Sequence, residues 1–160
     1  EWQCGTIQVD MNMPTRLEMS YIGEDGQRHT PHMIHRAILG SVERFIGVLI
    51  EHYAGKFPLW LAPVQVVVAT ITGDNEGYAH KVKDALIKVG IRTELDIRSE
   101  KVGYKVREHS SKKVPVIFVL GKKESSENSV AIRRLGSQGN ETLSMKDAIA
   151  VIKNEATPPL

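Results

Sequence analysis

The spacing of apolar and polar positions divides the chain into two unlike parts. From residue 64 onward the apolar runs are dense and regular. VQVVVATI, residues 64–71, is an almost unbroken β-branched run, as expected of a strand buried on both faces. After the turn residues GDN, Ala79, Val82, Ala85, Leu86 and Val89 recur at helical spacing and stop at Gly90, a residue suited to closing a helix. RTELDI alternates polar with apolar, as a half-buried strand does. A basic helix follows through Tyr104 and Val106, and Pro115 opens PVIFVLG, a third buried strand. VAIRRL reads as a further strand leaving into the turn GSQGN. Ser144 and Asp147 form an S-x-x-D capping box before a last helix, whose apolar face is Met145, Ala148, Ile149 and Ile152. The order βαβαβ, then a strand and a helix, predicts a small α/β domain: a mixed, mostly parallel sheet with flanking helices and its own core.

Residues 1–63 follow a different pattern. WQCGTIQVD and PHMIHRAIL are strand-like and are joined by a polar, turn-rich segment around GEDGQ. One helix, Val42–His52, carries the apolar stripe Val42, Phe45, Ile46, Leu49, Ile50 and, just beyond it, Tyr53. Two strands and one helix cannot cover both of their faces, so this part predicts the tail of a larger antiparallel sheet domain. FPLWLAPVQ, residues 57–65, holds Pro58 and Pro63, and Pro63 bars a helix from continuing. The boundary is therefore expected near Pro63, giving segments 1–63 and 64–160.

Composition narrows the class without naming a function. The 160 residues are 41% hydrophobic and 25% charged, the balance of a globular protein. The single cysteine, Cys4, excludes an intrachain disulfide framework and suits a reducing compartment. No apolar run is long enough to span a bilayer, and EWQCGTIQVD lacks a basic-then-apolar leader pattern. The expectation is a cytoplasmic protein with no membrane partner. The net charge of +2 hides an asymmetry: residues 1–63 carry five Lys/Arg against seven Asp/Glu, and residues 64–160 carry sixteen against twelve. RSEKVGYKVREHSSKK, residues 98–113, holds six basic side chains and two acidic ones. Such a run is either a solvated helix face or an anchor for a phosphate backbone.

Two residues stand apart from the packing pattern of residues 31–55. Arg44 lies off the apolar stripe and in the first helical turn, where a cation opposes the helix dipole and an anion nearby would compensate. On spacing alone it is equally an exposed arginine paired with a neighbour such as Glu43. His35 sits inside a strand, where one histidine is ordinarily a hydrogen-bonded structural residue. Cys4, His29 and His32 form no metal-ligand spacing with it.

GSVERFIG, placed after an apolar strand and before an apolar helix, resembles motif 3 of the class II aminoacyl-tRNA synthetases. WQCGTIQVD, MIHRAILGSVERFIG, FPLWLAPVQVVV, REHSSKKVP and GKKE resemble the threonyl-tRNA synthetase family in particular, over the whole chain. The resemblance implies that residues 1–63 end an antiparallel class II catalytic domain and that 64–160 have the class IIa anticodon-binding fold. It implies a threonine–tRNA ligase that activates threonine with ATP and Mg²⁺ and transfers it to its tRNA. In that family the motif 3 arginine, matched by Arg44, contacts the ATP phosphates, a role suited to a planar and permanently charged group. The histidine matched by His35 is one of three protein ligands of a zinc ion that takes the amino group and hydroxyl of threonine, which excludes valine. The other two ligands would lie upstream, and Cys4 is not one of them. Gln3 and Thr6 match adenylate-site positions, Gln8 a position at the threonine or terminal-adenosine side, and Ser41 one near the tRNA 3′ end.

In the second part the resemblance implies anticodon contacts at Ser99, Lys113, Glu124 and Arg133. Exposed bases are read by stacking and by hydrogen bonds to their edges, with basic groups on the phosphates. Ser99 stands where the family often has asparagine, and Lys113 where arginine is expected. Motifs 1 and 2, which supply the dimer interface and the rest of the ATP site, do not occur in these 160 residues, so the chain alone is expected to be inactive. The rival readings are a non-catalytic RNA-binding or regulatory module on the same fold, and an accessory protein-interaction domain. His35 and Arg44 both argue for the synthetase, because a module released from catalysis needs neither.

Overall fold

The computed structural model describes residues 2–137 and 139–159. The turn expected over residues 136–140 includes Gln138, which lies outside the described residues. The chain divides into two compact units, Glu1–His52 and Tyr53–Leu160. No helix among the described residues is long and apolar enough to cross a membrane.

In the first unit, β1 (Thr6–Asp10) pairs antiparallel with β4 (Met33–Ala37). Between them lie a single helical turn, α1 (Met13–Arg16), and a small hairpin of β2 (Tyr21–Ile22) and β3 (Arg28–His29). Helix α2 (Val42–His52) follows. Gly40 at φ +68° makes the bend before it, in left-handed backbone that a side chain would strain. Pro14 is the only buried residue among the described residues up to His52. The helix stripe is likewise uncovered: Val42, Ile46 and Ile50 are exposed, and Phe45 and Leu49 are half-buried. This is the outcome expected of two strands and a helix without further layers.

The second unit is a five-stranded mixed sheet in the order β6-β5-β7-β8-β9. Its strands are β5 (Val66–Thr70), β6 (Thr93–Asp96), β7 (Val116–Leu120), β8 (Ser129–Arg134) and β9 (Asn140–Ser144). The β6–β5 and β5–β7 pairings are parallel, and β7–β8 and β8–β9 are antiparallel. Every residue of β5 and β7 is buried, which explains their unbroken apolar runs. On one face, α3 (Glu76–Lys88) and α6 (Met145–Glu155) close the main core. There Ala79, Val82, Leu86, Ala148 and Ile152 meet Val66, Val68, Phe118, Leu120, Val130 and Ile132. Gly90 at φ +87° ends α3, and the Ser144 Oγ accepts the Asp147 N–H at 3.2 Å to start α6.

On the other face, α4 (Val102–Ser111) lays Val102 and Val106 against Ala69, Ile117, Val119 and Ala131. Helix α4 packs on β5 and β7, the middle of the sheet. Tyr104, one of the residues marking that helix in the sequence, is 52% exposed, and its place on the sheet face is taken by Lys105 and His109, both buried. Two elements are additional to the sequence reading: α5 (Lys122–Glu127), a short polar helix, and β9, which pairs along β8 as the fifth strand.

The segment that leads into β5 is held by side chains of the second unit. Leu59 joins the main core, the buried Gln65 amide donates to the Leu59 carbonyl at 2.8 Å, and its oxygen accepts the Arg92 N–H at 2.9 Å. The Arg92 guanidinium bonds the carbonyls of Trp60 and Ala62.

Candidate nucleic-acid interface

Strand register places the first-unit candidates. Thr6 pairs with Ala37, Gln8 with His35 and Asp10 with Met33, so Thr6, Gln8, Asp10 and His35 share one face of the β1–β4 ladder. His35 Nε2 lies 3.1 Å from Asp10 Oδ2. The Asp10 carboxyl is held below its usual range by the backbone N–H groups of Met13 and Asn12, and by His35. An ionised carboxylate can only accept, so Nε2 carries the proton and Nδ1 is left facing away from this bond. That is the arrangement in which a carboxylate orients a metal-binding histidine. Among the described residues no three His, Cys, Asp or Glu side chains are grouped so as to hold a metal ion. His35 could offer Nδ1 as a single ligand, and the described residues hold no complete site.

Thr6 also lines a hollow of about 250 Å³ with Arg36 and Ile38. Gln3 precedes β1 and is exposed. Ser41 caps α2, its Oγ accepting the Arg44 N–H at 3.2 Å. The bond fixes the backbone that carries the Arg44 side chain. That side chain is exposed and has no ion-pair partner among the described residues, Glu43 included.

In the second unit, the strand alternation sends Ala131 and Arg133 to the α4 face and Arg134 to the other, where it makes a two-pronged pair with Glu155 at 2.7 Å. A single helix cannot cover that face of a five-stranded sheet, and a cavity of about 530 Å³ remains beside α4. Ile71, Val102, Val106 and Val119 form its apolar floor. Arg107 and Ser110 of α4, Arg133 of β8 and Asn140 of β9 supply the polar groups. Arg133 and Asn140 are register partners and so share the face. An apolar floor with a few convergent donors is what a flat heteroaromatic ring requires.

The other three second-unit candidates do not line this cavity. Ser99 is exposed in the loop after β6. Lys113, in left-handed backbone at φ +60°, closes the turn after α4, and its stem lies under Gly55. Glu124 uses one oxygen to accept the Gly121 N–H at 2.9 Å, capping α5; burial, and after it the Glu124 charge, raises the Tyr78 hydroxyl above its usual pKa.

The basic run resolves into two kinds of group. Arg98 donates to Asp96 at 2.9 and 2.7 Å and to Glu108 at 3.0 Å, and Lys112 pairs with Glu108 at 2.8 Å. Lys105 is 1% exposed and donates to the carbonyls of Thr70 and Asp96. Burial holds its ammonium below the usual lysine range, while Arg98 and then His109 hold the Asp96 carboxyl far below the carboxylate range. These groups build the loop that bears Ser99. Lys101, Arg107 and Lys113 make no ion pair among the described residues. Arg107 and Asn140 have no signal in the sequence that separates them from their neighbours.

The second unit is thus an α/β module with an apolar cavity rimmed by two unpaired guanidinium groups. The chain belongs to the anticodon-binding domain family: the family described as "Anticodon binding domain" matches residues 65–155, and "tRNA synthetase class II core domain (G, H, P, S and T)" matches residues 1–53. Within that setting its relatives are threonine–tRNA ligases. The chain is 60% identical to that of Parvibaculum lavamentivorans and 58% to that of a Caulobacter species, over 99% of its length. It spans 24% of the length of each. The RNA-binding domain of threonyl-tRNA synthetase from Cryptosporidium parvum is 33% identical, with a TM-score of 0.84 over 99% of this chain and 40% of that one.

Proposed function

We propose that the chain is the motif 3 and anticodon-reading part of a threonine–tRNA ligase, with a functional boundary near Pro63. The observation that carries this reading is the placement of half-buried Arg133, with no ion-pair partner among the described residues, over the apolar floor beside α4. There a guanidinium can hydrogen-bond the edge of an unstacked anticodon base while the floor takes its ring. Ser99, Lys113 and Glu124 are assigned to the neighbouring nucleotides of the loop.

In the first unit, Arg44 is assigned to the ATP phosphates, where its permanent charge would offset charge developing on the phosphoryl oxygens as threonine is activated with Mg²⁺–ATP. Gln3 and Thr6 line the adenylate, and Gln8 and Ser41 face the threonine and the tRNA 3′ end. His35, oriented by Asp10, would be one ligand of a zinc ion that holds the amino group and hydroxyl of threonine. The parent ligase is assigned as a cytoplasmic homodimer. Activation needs groups beyond this chain, which is therefore expected to form no threonyl adenylate alone.

The test is binding of the chain to threonine tRNA and to the same tRNA with its second and third anticodon bases changed, across a salt series. The reading expects preference for the unchanged anticodon, lost in Arg133→Ala. Equal, salt-sensitive binding of both RNAs would refute it.

A further inference from the structure

Among the described residues, the second unit's arginines separate by partner. Arg92 is bonded to the Trp60 and Ala62 carbonyls, Arg98 to Asp96 and Glu108, and Arg134 to Glu155. Arg107 and Arg133 have no hydrogen bond or ion pair from their guanidinium groups among the described residues. Those two converge on the same cavity from different elements, and no carboxylate is among the residues that line it.

Their settings differ in a way that divides the work. Arg133 is half-buried in the sheet, beside Asn140, whose carboxamide can both donate and accept. Arg107 is exposed at the rim, on α4. The floor residues Ile71, Val102, Val106 and Val119 carry no side-chain donor to replace a phosphate's water, whereas a base ring fits against them. At the rim a phosphate keeps most of its hydration and meets a guanidinium matched to it in shape.

We propose that Arg107 binds the backbone phosphate flanking the unstacked base that Arg133 reads, so that one cavity takes a whole nucleotide through two arginines of different roles. This rests on the reading of the unit as an anticodon reader, and it adds a residue which that reading does not contain. An RNA loop is the occupant chosen because two unpaired cations, with no acid among the residues lining the cavity, complement a polyanion, and the floor complements a ring.

The experiment uses the 160-residue chain with threonine tRNA and the anticodon-changed tRNA in a salt series. Arg107→Ala is expected to weaken both RNAs by the same factor, roughly tenfold, because a charge-assisted contact is lost. It is also expected to reduce the slope of log K against log salt by about one, leaving the ratio between the two RNAs unchanged. Arg107→Lys restores the slope, since the charge remains. Unchanged affinity and slope in Arg107→Ala overturn the proposal. A collapse of the ratio also overturns it, because Arg107 would then read a base. If the unsubstituted chain shows no anticodon preference while Arg107→Ala still lowers the slope, the phosphate contact stands and the base reading falls. Arg107 is exposed, and unchanged far-ultraviolet circular dichroism establishes that the variant is folded.

Discussion

Asp96→Asn tests whether one buried carboxylate organises the loop between β6 and α4. Asp96 is 4% exposed and accepts from Arg98 Nε and Nη2 at 2.9 and 2.7 Å, from the Arg98 backbone N–H at 3.3 Å and from His109 Nε2 at 2.8 Å. The buried Lys105 ammonium lies 3.9 Å away. Asparagine removes the charge and turns an N–H₂ group toward donors, so at least one of these bonds becomes a donor facing a donor. Lys105 then keeps the Thr70 and Asp96 carbonyls and the Thr70 hydroxyl, and no anion. Removing one member of a buried charged set costs about 3 kcal/mol. For a unit of this size that corresponds to a fall in Tm of roughly 10–20 °C.

The pH dependence has a definite sign. The folded Asp96 carboxyl titrates well below its ordinary value, chiefly because of Arg98, with His109 next. The stabilisation is thus fully present above the unfolded value of about 3.9. Below that pH the unfolded chain takes up a proton that the folded chain does not, and stability falls with pH until the folded group is protonated. The gap between the wild type and Asp96→Asn is expected to be constant near neutrality and to shrink below about pH 4. Thermal unfolding with exchange protection of β5 and β7 amides measures both effects. A loss under about 0.5 kcal/mol, the scatter of ordinary surface substitutions, would refute the account of this cluster, as would a gap that does not change down to pH 2.

Other expectations follow from single contacts. Gln65→Leu leaves the Leu59 carbonyl and the Arg92 N–H without partners and should destabilise by about 2 kcal/mol, with faster proteolysis in residues 57–63. Phe118→Ala empties the centre of the main core, where Phe118 is fully buried, and should cost about 3–5 kcal/mol in denaturant unfolding. Ser144→Ala removes the α6 cap and should cost about 1 kcal/mol, read as earlier fraying of α6 amides in hydrogen exchange.

What was legible in the sequence was the part governed by local period. β5 and β7 appear as unbroken apolar runs because both of their faces are covered, and Gly90 and Ser144 mark helix ends because backbone geometry and orphan amides demand such residues there. β9 was not legible: NETLS offers one apolar residue, Leu143, because as the last strand of the sheet it is paired on one side only and largely exposed. KKESSE, the whole of α5, has no apolar residue to set a period. The basic run was visible as charge, but charge counting cannot tell Lys105, buried on carbonyls, from Arg107, which faces the cavity. That distinction depends on which cations Asp96, Glu108 and the Thr70 carbonyl occupy, and it exists only after β5, β6 and α4 have met. The common face of Thr6, Gln8 and His35 likewise depends on the β1–β4 register, whereas the partner that orients His35, Asp10, has no spacing signal at all.

The central proposal is that the cavity beside α4 receives one unpaired anticodon base. The most direct measurement is a titration of the isotope-labelled chain with an anticodon stem-loop, following amide and arginine side-chain signals. The account expects the largest shifts at Arg133, Asn140, Arg107 and Val106, with the Arg133 and Arg107 side-chain signals moving together and saturating at one equivalent. Shifts that leave those residues still while moving others, or no saturation, would contradict it.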